Sequence, residues 1–155
     1  MEFRGIYTPA ITPLAPDMSI DWDGFATLLE HLIATGVHGI VIGGTTGEYY
    51  AHSADERLES LRRAQDIVAG RVALIGGTGA VRTEDSVALA LAIRDMGYDA
   101  LLVTTPPYAQ PTPRENALHA LAIDRAANLP IMLYNYPGRM AAEMSAEYLD
   151  RVGRS

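Results

Sequence analysis

A strand, loop and helix recur five times along this chain at a near-constant interval, and that repeat limits its possible folds more than any single residue does. Apolar runs read as strands at Ile6 to Thr12, His38 to Gly43, Val72 to Ile75, Ala100 to Thr104 and Ile131 to Tyr134, spaced by about 30 residues. Between them lie helical patterns with explicit start and stop signals. Asp21 is placed to cap a first helix whose Phe25, Leu28, Leu29, Leu32 and Ile33 share one face, and Gly36 ends it. Ser53-Ala54-Asp55-Glu56 forms a capping box for a second helix through Leu58, Leu61, Ala64 and Ile67, which stops near Gly70. The third, Thr83 to Gly97, is ambiguous by pattern, because Val87, Leu89, Leu91 and Ile93 alternate as a strand would. Its length and the interleaved alanines decide for helix. Thr112-Pro113-Arg114-Glu115 is another capping box, opening a helix with Leu118, Leu121 and Ala122. Asn135 to Ala142 then read as a loop, and Ser145 starts a final helix.

Alternation of this kind suits a (β/α)8 TIM barrel, whose typical 250 residues or so space eight strands about 31 apart. The chain then supplies about the first five β/α units, as a single domain over residues 1–155. Five units cannot close a barrel, and both sheet edges stay unpaired, so the expectation is an incomplete, N-terminal portion. Partner chains that donate the missing strands are the alternative. A doubly wound sheet gives the same alternation. Against it, Gly77-Thr78-Gly79 runs on into Ala80, Val81 and Arg82 without the third glycine of a dinucleotide fingerprint, and it follows the third strand rather than the first.

Bulk chemistry narrows the function. With 48% hydrophobic and 20% charged residues the chain is globular, and a net charge of −7 disfavours nucleic acid or an anionic membrane as partner. No apolar run reaches membrane-spanning length, and Met1-Glu2-Phe3-Arg4-Gly5 lacks a signal-peptide core, so a cytoplasmic location is expected. The absence of cysteine removes thiolate metal sites and cysteine nucleophiles. His31, His38, His52 and His119 have no metal-ligand spacing, so no metal is expected. All twelve basic residues are arginine, so lysine chemistry cannot be completed within this chain.

Groups of functional character follow the strands. The run Gly39-Ile40-Val41-Ile42-Gly43-Gly44-Thr45-Thr46-Gly47-Glu48 ends a buried strand in a turn that can expose backbone N–H groups and two hydroxyls, a seat for a small carboxylate. A glycine-rich turn with no ligand is the plainer reading. Tyr108 follows the fourth strand, and Tyr134 and Arg139 end and follow the fifth. In a barrel these loops converge on one mouth, where a tyrosine can pass a proton and an arginine can clamp a carboxylate. Each also has an ordinary structural reading, as strand-end packing for Tyr134, a surface loop residue for Tyr108 and a solvated arginine for Arg139.

The Gly39 to Glu48 run, with Glu56 beyond it, resembles the first signature of the dihydrodipicolinate synthase / N-acetylneuraminate lyase family. Tyr134-Asn135-Tyr136-Pro137-Gly138-Arg139 resembles the first half of its second signature, and Gly5-Ile6-Tyr7-Thr8-Pro9 and Pro106-Pro107-Tyr108 extend the likeness to essentially the whole chain. The resemblance implies a class I aldolase-type lyase on a TIM barrel, a homo-oligomer (dimer or tetramer) that needs no cofactor. Such an enzyme condenses or cleaves a 2-keto acid such as pyruvate with an aldehyde or keto-acid partner through a lysine Schiff base. It further implies that Thr45 and Thr46 hold the keto-acid carboxylate and that Tyr134 is the general acid/base. By the same resemblance Thr45 and Tyr108 complete a proton relay, with Tyr108 reaching a neighbouring subunit's site, and Arg139 faces the second substrate. The Schiff-base lysine falls beyond Ser155, so these residues alone are expected to be inactive. Tyr49, where the family usually has a small residue or Phe, Met140 in place of Ser or Thr, and the apolar Ala80 leave the second substrate open. A non-catalytic keto-acid-binding or assembly module is the alternative function.

Overall fold

The computed structural model describes residues 3–153. Five parallel strands lie side by side in chain order, β1 (Tyr7–Pro9), β2 (Gly39–Ile42), β3 (Ala73–Gly77), β4 (Ala100–Thr104) and β5 (Ile131–Tyr134). That order rules out the doubly wound alternative, in which the sheet starts in the middle and reverses. Helices α1 (Trp22–Ala34), α2 (Ala54–Val68), α3 (Thr83–Asp95) and α4 (Pro113–Ala127) form the crossovers, followed by α5 (Pro137–Met140) and α6 (Ala146–Val152). The strands curl into a half-barrel, the first five β/α units of a TIM barrel.

Alternation along the strands builds two cores. Ile40, Ile42, Leu74, Leu101 and Val103 join Phe25, Leu29, Leu61, Ile93 and Ile123 from the helices in the larger cluster. Their strand neighbours Val41, Ile75, Ala100 and Leu102 point to the opposite face and pack together with Tyr7, Met132 and Tyr134. Helices therefore cover one face and strand side chains fill the other, as the period of two requires in a barrel wall. Sequence-adjacent helices pack on one another, and Arg63 of α2 lies 4.5 Å over the Trp22 ring of α1.

The capping chemistry is realised. Asp21 accepts from Gly24 N at 2.9 Å, and both Ser53 and Thr112 form reciprocal capping boxes with Glu56 and Glu115. Gly36 takes its left-handed conformation just past α1, at φ +81°. Two features depart from the sequence reading. β1 is shorter than Ile6 to Thr12, and the segment read as a loop from Asn135 to Ala142 contains α5, a single turn started by Pro137. One close approach explains a glycine: a Cβ on Gly77 would run into the Gly43 carbonyl, so the ends of β2 and β3 can meet only because Gly77 is bare.

Candidate active site

The loops after β2, β4 and β5 gather at the C-terminal end of the sheet. After β2 the chain makes two consecutive 3-10 turns, Thr45–Gly47 and Tyr49–Ala51, joined by Glu48 at φ 52°. The first turn is tied down from outside, where Thr12 Oγ1 donates to Gly47 O at 2.8 Å. A concavity of about 160 Å³ opens beside it, lined by Thr45, Tyr49, Tyr50, Pro107, Arg139 and Met140. Thr45 Oγ1 is buried and has no hydrogen-bond partner among the described residues. A buried hydroxyl without a partner costs stability unless something else meets it.

Two of the residues read from the sequence, Thr45 and Arg139, line the concavity together. Arg139 projects from α5, and its guanidinium lies beside the hydroxyls of Tyr50 and, secondarily, Tyr136, which holds it further on the charged side. Tyr134 ends β5 half-buried, paired in register with Thr104 and 6.1 Å edge-on from Tyr136. It belongs to the inner strand cluster rather than to the lining of the concavity. Thr46, in the same turn as Thr45, is exposed. Tyr108 is 92% exposed at the tip of the loop after β4, with φ 69°, and touches none of the others. Among the described residues no three histidine, aspartate or glutamate side chains come together as metal ligands.

Tyr49 is buried beside this site and fills the space above Gly79, where any Cβ would meet its ring. Arg57 sits 5.0 Å over that ring. Desolvation raises the Tyr49 phenol and lowers the Arg57 guanidinium from their ordinary pKa values. The contribution of Tyr50 was not legible in the chain. Its one signal was adjacency to Tyr49, and only the turn geometry brings its hydroxyl to Arg139.

In a parallel β/α barrel the loops at the C-terminal ends of the strands line the mouth, and the loops carrying Thr45 and Arg139 lie at that end of this curled sheet. The chain belongs to the dihydrodipicolinate synthetase family, whose profile matches residues 2–154. It is 39% identical over 151 residues to a 4-hydroxy-tetrahydrodipicolinate synthase of Cellvibrio japonicus, covering 97% of this chain and 52% of that protein. Among solved structures it superposes at a TM-score of 0.94 and 33% identity on the 4-hydroxy-tetrahydrodipicolinate synthase of Methylacidiphilum fumariolicum SolV, covering 99% of this chain and 51% of that one. The chloride-inhibited dihydrodipicolinate synthase of Acinetobacter baumannii, complexed with pyruvate, matches at 0.92 and 35% identity, with 96% and 51% covered. The chain thus spans about half the length of the relatives it matches.

Proposed function

We propose that the protein to which this sequence belongs is a keto-acid lyase or synthase, joining or splitting pyruvate and an aldehyde or keto-acid partner through a lysine Schiff base. The observation that carries this reading is the buried, unpartnered hydroxyl of Thr45, a residue that lines a small cavity together with Arg139. In this reading Thr45 and Thr46 bind the keto-acid carboxylate through their hydroxyls and the N–H groups that open the 3-10 turn, which have no partner within the turn. Tyr134 is the general acid/base. It protonates the departing hydroxyl as the amine adds to the keto carbon and water leaves, and Thr45 and Tyr108 relay that proton. Arg139 receives the second substrate, steadied by Tyr50.

The amine has to come from outside these 155 residues, since none is lysine. By themselves they are therefore inactive, one portion of a barrel domain. A homo-oligomer in the cytoplasm, with Tyr108 serving a neighbouring site, completes the proposal. No helix among the described residues is long and apolar enough to cross a membrane.

The test is borohydride reduction of the full-length protein in the presence of pyruvate, read by mass spectrometry. One reduced pyruvate attached to a lysine on the strand after β5 is expected, and Tyr134→Phe should lower kcat by about 10²- to 10⁴-fold. No adduct, with pyruvate still bound, would favour the non-catalytic binding module instead.

A further inference from the structure

A buried polar network lies behind the loop that carries Tyr108, and the proposed chemistry does not use it. Asn116 and His119 project from α4 toward the end of β4, and they are only 2% and 5% exposed. Asn116 Nδ2 donates to Thr105 Oγ1 at 2.9 Å. His119 Nδ1 lies 3.0 Å from Thr83 Oγ1 at the start of α3, and the ring also lies by the Thr104 carbonyl. A neutral imidazole that carries its proton on Nε2 suits both neighbours, since Nδ1 can then accept from Thr83.

Thr104 and Thr105 are themselves buried and form a junction. The Thr104 hydroxyl donates to Thr105 O at 2.6 Å and reaches Met140 Sδ at 3.6 Å, next to Arg139. Across the sheet Thr104 pairs with Tyr134. From Thr105 the arm Pro106 to Pro111 runs out and returns to Thr112, which is locked to Glu115 by the α4 capping box. Both feet of the arm therefore stand on the first turns of α4. The arm holds two non-glycine residues in left-handed backbone, Tyr108 at φ 69° and Gln110 at φ 47°, a conformation that persists only where the surroundings enforce it.

The Asn116 amide is only half satisfied: its Nδ2 meets the buried Thr105 hydroxyl, while Oδ1 is buried and unpartnered among the described residues. What the amide and the imidazole supply is direction. We propose that Asn116 and His119 are positioning residues for the keto-acid reaction, fixing the Thr104–Thr105 junction from which Tyr108 is aimed and against which Tyr134 and Arg139 are set. This rests on the function proposed above. It adds two residues that touch no substrate and act through Thr104 and Thr105.

The experiment uses the full-length protein with His119→Leu, His119→Gln and Thr105→Val. It follows kcat, the pyruvate KM, hydrogen exchange across residues 105–112 and the melting temperature. His119→Leu and Thr105→Val should each lower kcat by about 10- to 100-fold, the penalty of a misaimed group. Pyruvate KM should stay within about twofold, because Thr45 and Thr46 hang from β2 and not β4. Exchange across the arm should quicken in both. His119→Gln, whose amide can still donate to the Thr104 carbonyl, should recover most of kcat. If His119→Leu does not fold, Thr105→Val and His119→Gln decide. Unchanged kcat and unchanged arm exchange in folded variants overturn the positioning role. So does a loss that raises pyruvate KM in parallel with a fallen melting temperature and that Gln does not rescue. A wild-type protein that traps no pyruvate and turns nothing over removes the keto-acid reading itself, whatever the arm does.

Discussion

Thr45 carries two opposing demands in one hydroxyl. Its oxygen is buried without a partner among the described residues, which costs free energy in the empty protein and returns it when a carboxylate arrives. Thr45→Val keeps the shape and removes the oxygen. Its melting temperature should stay level or rise slightly, because the unfilled polar group is gone. Its affinity for pyruvate, measured by calorimetric titration of the full-length protein, should fall about tenfold, or about 1.4 kcal/mol. Wild-type affinity in the valine variant would take Thr45 out of the carboxylate seat. His119 gives a second, pH-dependent expectation. Burial lowers its pKa below the ordinary histidine value of 6.5, so as pH falls the unfolded chain takes up that proton before the folded one. Its contribution to stability is full above about pH 6.5 and is lost as pH drops toward and through the lower folded value. Denaturant midpoints across pH 5 to 8 should show that slope flatten in His119→Gln. The same slope in both proteins would mean that another group titrates there.

Each helix rests on a local signal that a mutation can isolate. Ser53 and Thr112 each close a capping box, so Ser53→Ala and Thr112→Ala should each cost about 1 kcal/mol in chemical denaturation. α3 starts on Arg82, whose side chain makes no cap bond, and Arg82→Ser should add a few tenths to about 1 kcal/mol. A destabilising Arg82→Ser would show that the Arg82–Glu84 ion pair at 3.6 Å outweighs the missing cap. These signals were legible along the chain because they sit within four residues of the element they start or stop. The alternating Val87, Leu89, Leu91 and Ile93 resolved as helix because the stretch they belong to, Thr83–Asp95, runs 13 residues, beyond the usual length of a strand. α5 was missed because four residues cannot display a period, and Pro137 at its start also fits a loop. The site was legible to the same depth. Thr45 and Arg139 meet because β2 and β5 end at the same level, which the repeat implied. The closeness of Tyr50 to Arg139, the place of Tyr134 in the inner strand cluster and the anchoring of the Tyr108 arm depend on side-chain directions that no spacing encodes.

At the scale of the whole molecule, sequential strand order leaves β1 and β5 each paired on one side only. Pro9 blunts the first edge, since it has no N–H to offer a further strand. β5 has no such protection. Ile131, Met132, Leu133 and Tyr134 are all half-buried, with the backbone groups that face away from β4 open to another chain. The 155 residues expressed alone should therefore self-associate, with a sedimentation coefficient that climbs with concentration. A longer protein that carries the next strands covers the edge and should give one discrete species. Covalent chemistry separates the two forms in the same way. The short chain offers borohydride and pyruvate a single primary amine, at Met1, because its basic side chains are all guanidinium groups. Any trapped adduct should map to residue 1 and be insensitive to Tyr134→Phe. In the longer protein the adduct should map to a lysine side chain, and Tyr134→Phe should slow its formation. An adduct on the short chain that disappears with Tyr134→Phe would overturn the claim that the amine comes from elsewhere, because it would place a reactive amine within reach of that phenol.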